Sequence, residues 1–122
     1  MQYEDLDGIS QKQLTEHHDV LYAGYIKKAD EITAKLKLVD LTLANATYSE
    51  LRSLKVEETF AQNGVKLHEG YFENMKRGGS VPSGAILSFI ERDFGSFEKW
   101  VAEFKALGLC ARGWVVLAYD LD

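Results

Sequence analysis

Three histidines, His17, His18 and His68, are the residues of this chain best suited to metal or proton chemistry. His17 and His18 are adjacent in LTEHHDVLYAGYI, residues 14–26, within an amphipathic helical pattern. An α-helix turns about 100° per residue, so only one of the two is expected to point squarely into a helix–helix interface. His68 lies at the edge of an apolar stripe on a second predicted helix. Two imidazoles facing each other across a dry hairpin are costly to bury unless they are hydrogen-bonded or metal-bound. Each can equally be a packed or surface histidine without a ligand role. Two histidines do not complete a catalytic metal site, which usually takes three or more protein ligands. Glu16, Asp19 and Glu69 adjoin histidines in sequence, but none has the i,i+3 or i,i+4 spacing to His17 or His68 that a shared ligand face needs. A dinuclear carboxylate site is therefore not expected.

Other chemistries have less support. No glycine-rich phosphate loop follows a strand, because Gly78 and Gly79 precede a proline. Cys110 has no histidine near it in sequence and reads as a small core residue rather than a nucleophile. The lysines of IKKADEITAKLK, residues 26–37, read as a solvated helix face.

The 122 residues suit one domain or two small lobes. A net charge of −5 and a pI near 5.2 argue against nucleic acid and anionic membrane as partners. No apolar run approaches the ~20 residues of a membrane-spanning helix. The acidic start, MQYEDLDGIS, lacks the basic and apolar regions of a signal peptide. A single cysteine fits a reducing compartment, and the expected location is the cytoplasm.

These residues must be positioned by helices. Ser10 and Gln13 form a capping box, with Ile9 and Leu14 as a hydrophobic staple, opening a helix that runs to about residue 36. Its apolar positions are Leu14, His18, Leu21, Tyr22, Tyr25, Ile26, Ala29 and Ile32. The pattern blurs over residues 35–45. Thr47 and Glu50 form a second capping box for a helix reaching Met75. One of its stripes is Phe60, Gly64, Leu67, Tyr71 and Met75; the adjacent one is Ala61, Val65, His68, Phe72 and Met75. Two long amphipathic helices with a short connection predict an antiparallel hairpin. The cluster KRGGSVPSGA, residues 76–85, is the clearest break. Beyond it, Ser83 is the expected cap of AILSFIERDF, Gly95 its stop, Ser96 the cap of FEKWVAEFKAL and Gly108 the stop of that helix. GWVVLAY, residues 113–119, reads as a buried strand. One strand cannot make a sheet, so the order looks like a fold whose last third lies elsewhere.

Four stretches carry a family resemblance. ISQKQLTEHHDVLYAGYI resembles the first helix of iron/manganese superoxide dismutases, which implies His17 as a metal ligand and Tyr25 as the gateway tyrosine. FAQNGVKLHEGYFENM is similar to the second helix, implying His68 as a ligand with Tyr71 and Phe72 in the aromatic shell. RGGSVPSGAILSFIERDFGSFEKWVAEF resembles the linker and next two helices, and ARGWVVLAYD the strand that opens the family's sheet. The resemblance implies a mainly α fold: an N-terminal helical hairpin, residues 1–78, then a truncated α/β C-terminal lobe, residues 79–122, of two helices and the first strand. It also implies dismutation of superoxide to oxygen and hydrogen peroxide, with iron or manganese, one per chain where the site is completed.

The sequence also departs from the family. The Asp-x-Trp-Glu-His run with the remaining ligands is expected some tens of residues beyond Trp114, and the sequence given ends at Asp122. The two places from which the family draws a glutamine to bond the metal's solvent ligand hold Gly64 and Cys110. Leu21 stands where the family has a histidine, and Lys66 where it has a tryptophan. Three readings follow: a fragment of a dismutase-like protein; a non-catalytic relative acting as an oligomerisation or protein-interaction module; and a metal site completed by a partner chain. In each, uncovered apolar faces predict a homo-oligomer, a dimer being the simplest.

Overall fold

The computed structural model describes residues 6–121; the MQYED start, part of the segment read for a signal peptide, and Asp122 lie outside the described residues. The chain forms two compact units, Met1–Gly79 and Ser80–Asp122.

The first unit is a helical hairpin. Its first rod runs without a break through α1 (Gln11–Thr15), a π-helical segment (Glu16–Tyr22) and α2 (Ala23–Leu36). Ser10 starts it in extended backbone, its side chain accepting from the Gln13 amide at 3.2 Å. The π-helical segment overturns part of the expected pattern. The Ala23 amide donates to the His18 carbonyl, five residues back, so one extra residue is accommodated in the rod. That insertion shifts the inward face by one position. Leu14 is the most deeply buried side chain, but Leu21, a heptad later, is 56% exposed and Ile26 is also exposed. Of the expected stripe, Tyr22, Tyr25 and Ala29 keep their inward places.

Residues 37–49 make a hydrogen-bonded turn. Asp40 accepts from the Thr42 amide at 2.9 Å and starts the short 3₁₀ turn Leu41–Leu43. Asn45 then accepts from the Thr47 amide at 2.8 Å. Thr47 is thus held in an Asn-centred turn and does not cap the second rod, α3 (Glu50–Glu73). Ser49 does, accepting from the Arg52 amide at 3.3 Å. On α3 the buried positions are Ala61, Gly64 and His68, with Met75 just past its end. Phe60, expected in the stripe, is largely exposed, although its ring still meets Tyr25. Ala29, Ala61 and Gly64 are small, which lets the two rods approach closely along the middle of the hairpin.

The second unit holds α4 (Ala85–Phe94) and α5 (Phe97–Cys110). Ser83 does not cap α4. Gly84 occupies the cap position at φ 66°, with no side-chain bond, a conformation glycine adopts without the Cβ penalty. Gly95, at φ 85°, stops α4, and Ser96 caps α5 by accepting from the Lys99 amide at 3.2 Å. Gly108 does not stop α5. It keeps a negative φ and the helix runs two residues further, because an interior glycine costs only about 1 kcal/mol. Cys110 is exposed in the last turn, not a core residue as its type suggested. Ile90 is the buried centre of α4, and Phe89 lies 5.1 Å from Tyr119. Along α5 the rings of Phe97, Trp100 and Phe104 meet in sequence in tilted contacts.

The fold class is mainly α, as expected. The strand over 113–119 is the exception. Among the described residues there is no strand, and the one isolated bridge pairs Leu6 with Ile9. A strand is defined by its ladder, and the segment has no second one to pair with.

Candidate metal site

The hairpin brings His17 and His68 together. Their ring centroids are 4.9 Å apart and the planes nearly perpendicular, at 81°. His17 comes from the π-helical segment and His68 from the C-terminal part of α3, where it is 4% exposed. His68 Nδ1 lies 2.7 Å from the Gly64 carbonyl oxygen. A carbonyl only accepts, so Nδ1 carries a proton and Nε2 is the ring nitrogen that can serve as a metal ligand. The bond spans one helical turn and fixes the ring on α3, as the carbonyl partner of a metal-binding imidazole does.

Aromatic side chains wrap the pair. His17 meets Tyr71 at 4.9 Å and Phe72 at 5.4 Å. Tyr25 lies 5.1 Å from His68, and Tyr22 stacks on it at 5.9 Å with planes 26° apart. In these surroundings His17 is held below its ordinary pKa, first by loss of water and then by the neighbouring His68. Both causes favour the neutral imidazole, the form that binds metal.

Tyr25 packs against the backbone of α3. A Cβ placed on Gly64 would fall well inside contact distance of Tyr25 Cδ1 and Cε1, and 2.8 Å from Cγ. The volume a glutamine at position 64 would need is filled by the tyrosine ring. Cys110, the other place from which the family draws that glutamine, belongs to the second unit.

His18 was expected to turn away from the interface if His17 faced it. Both rings instead reach Phe72, His18 at 5.1 Å, because the wider π turn separates adjacent side chains by less than an α turn does. His18 Nδ1 is 2.7 Å from Asp19 Oδ1, and the ring also meets Tyr22. Tyr22 donates to Glu69 Oε1 at 3.1 Å across the hairpin. Burial, then the Glu69 bond and the charges of Glu69 and Glu73, raise its pKa and keep the phenol protonated. Sequence spacing put Tyr22 on the apolar face but gave no hint of this tie, which depends on where Glu69 lies across the hairpin.

The donor set fits half of a metal site. Two imidazoles converge under an aromatic cover, which suits a first-row transition metal. Among the described residues, no three His, Cys, Asp or Glu side chains are grouped to hold an ion. No described helix is long and apolar enough to cross a membrane.

Comparison with known proteins gives these features a context. Residues 82–122 match the model of the C-terminal domain of iron/manganese superoxide dismutases. The chain is 43% identical over 122 residues to a superoxide dismutase [Fe] of Aquifex aeolicus, an alignment covering 97% of this chain and 57% of that protein. It is 44% identical to a superoxide dismutase [Fe] of Cupriavidus metallidurans, covering 94% of this chain and 58% of that one. A superoxide dismutase [Mn] of Haloarcula marismortui is 36% identical, with 92% of this chain and 54% of that protein aligned. The chain thus spans a little over half the length of the curated relatives it matches.

Proposed function

Because the chain belongs to the iron/manganese superoxide dismutase family, we propose that it supplies the first two ligands, His17 and His68, of a superoxide-dismutating metal centre. The observation that carries this reading is the convergence of the two imidazoles, 4.9 Å apart, from opposite rods of the hairpin. Iron or manganese, when bound, supplies a one-electron couple between the +3 and +2 states, which allows superoxide to be oxidised to oxygen and reduced to hydrogen peroxide.

The chain's own residues would do the rest. His17, its pKa held below the ordinary value by burial and by His68, would present a neutral nitrogen, and the bond from His68 Nδ1 to the Gly64 carbonyl would leave Nε2 as the second donor. Tyr71 and Phe72 shield the His17 ring from water. Tyr25, beside His68 and by resemblance the gateway residue, would meet substrate and hold a proton near the centre. Among the described residues no third ligand joins the pair, so on this reading the remaining ligands come from a further segment or a second subunit. The relatives' greater length favours a further segment. The N-terminal hairpin and the unit after Gly79 correspond on this reading to the family's two domains, in a cytoplasmic homo-oligomer.

One observation favours a second reading, a non-catalytic interaction module. Leu38, Leu41, Leu43 and Tyr48, all in the turn joining the rods, are each more than 65% exposed, and such a patch favours contact with another protein surface. Metal analysis with a superoxide assay decides between them. Iron or manganese retained by the purified protein and lost in both His17→Ala and His68→Ala supports the metal centre. Retention unaffected by either substitution sinks it.

A further inference from the structure

We propose that Tyr22 and Glu69 form a clamp across the hairpin that positions the His68 imidazole for metal binding. This rests on His68 being a ligand but concerns residues that do not themselves bind metal. Tyr22 lies over the face of His68, with ring centroids 5.9 Å apart and planes 26° apart. Its hydroxyl donates to Oε1 of Glu69, the residue that follows His68 on α3, at 3.1 Å. The histidine is therefore held in two directions. In its own plane the Nδ1 bond to Gly64 fixes which nitrogen carries the proton. Against rotation out of that plane, the tyrosine ring restrains it, and the tyrosine is tied back to the same helix. A stacked ring without the Glu69 bond has only dispersion to hold it in place.

The geometry has a specific origin. Tyr22 is the last residue of the π-helical segment and His17 the second. The same segment that turns His17 toward His68 leaves Leu21 exposed and keeps Tyr22 on the inward face. One backbone irregularity thus sets both the ligand and the residue that steadies its partner. Tyr22 also touches His18 and Phe72, so its ring packs on three sides while the phenol oxygen does the anchoring. Tyr22 is a positioning residue; nothing in the clamp touches substrate.

The test uses the purified full chain, with Zn²⁺ as the probe metal. It compares wild type with Tyr22→Phe, Glu69→Ala, Glu69→Gln, the Tyr22→Phe/Glu69→Ala double variant and His68→Ala. Two quantities are read: Zn²⁺ affinity by calorimetry, and the His68 ring tautomer by long-range ¹H–¹⁵N NMR without metal. Tyr22→Phe and Glu69→Ala are each expected to weaken Zn²⁺ binding about tenfold, the scale on which residues behind a metal ligand act. They also move the His68 signals from a single Nδ1–H tautomer toward a mixture. The double variant is expected to be no worse than either single one, since both remove one bond. Glu69→Gln keeps an acceptor oxygen and stays near wild type. Wild-type affinity and tautomer in both Tyr22→Phe and Glu69→Ala, or losses that add in the double variant, overturn the clamp. If His68→Ala leaves Zn²⁺ affinity unchanged, the metal reading fails instead, and the metal-free NMR result still decides the clamp: a shifted tautomer supports it and an unshifted one overturns it.

Discussion

The ring of Tyr25 lies over Gly64, in the volume that any side chain at position 64 would occupy. This glycine is the seat of the tyrosine as well as the absence of a glutamine. Gly64→Ala forces the ring aside, and overpacking of this kind costs about 1–3 kcal/mol. Thermal or denaturant unfolding should show that loss. In a Tyr25→Ala background the same substitution should cost much less, because the two changes share one space. An equal cost in both backgrounds would mean that position 64 is sensitive for another reason.

The three histidines should separate by function. His17→Ala and His68→Ala are each expected to lower Co²⁺ or Zn²⁺ affinity at least tenfold by calorimetry. His18→Ala should change it little, since the His18 ring is tied to Asp19. Chelation should remove the metal without unfolding the hairpin, whose core of Leu14, Ala29, Ala61 and Met75 is independent of it. A circular dichroism spectrum that collapses with chelator would contradict this.

Acid should weaken the metal-free protein through His17. Its pKa is lowered from 6.5 by burial and by His68, so below pH 6.5 the unfolded chain binds a proton that the folded chain resists. Stability is therefore complete above about pH 6.5 and falls as the pH drops from there toward the folded-state value. Denaturant midpoints measured between pH 7.5 and 5 should show the decline, and His17→Gln should flatten it. An unchanged slope in that variant would assign the decline to other groups.

Leu14 is the side chain on which the start of the hairpin depends, at 1% exposure. Leu14→Ala should cost about 2–5 kcal/mol and release the rod end that carries His17. Leu21→Ala, by contrast, lies on an exposed position and should fall within about 0.5 kcal/mol of wild type. Equal losses in the two variants would contradict the phase shift assigned to the π-helical segment.

Much of the architecture was legible in local sequence. Ser10 and Ser96 cap helices where their types and positions predict, and Gly95 ends α4 in the left-handed conformation its type permits. Such features depend on a few neighbouring residues, so short-range chemistry determines them. Periodicity put His18 and His68 on the two apolar stripes, and the choice of His17 as the partner of His68 came from the family resemblance.

What pattern could not supply were the features set by long-range competition. The π-helical segment has no simple residue signature, yet it chooses Tyr22 over Leu21 for the interior and brings both His17 and His18 onto Phe72. Ser49 rather than Thr47 caps α3, because Asn45 engages the threonine first. Residues 113–119 have strand composition but no strand, because a ladder needs a second chain segment beside it. Sequence alone determined which residue types were available for chemistry and which helices carry them. Tertiary packing decided which rings meet, since contact across a hairpin depends on the phase of both rods and a single inserted residue resets it.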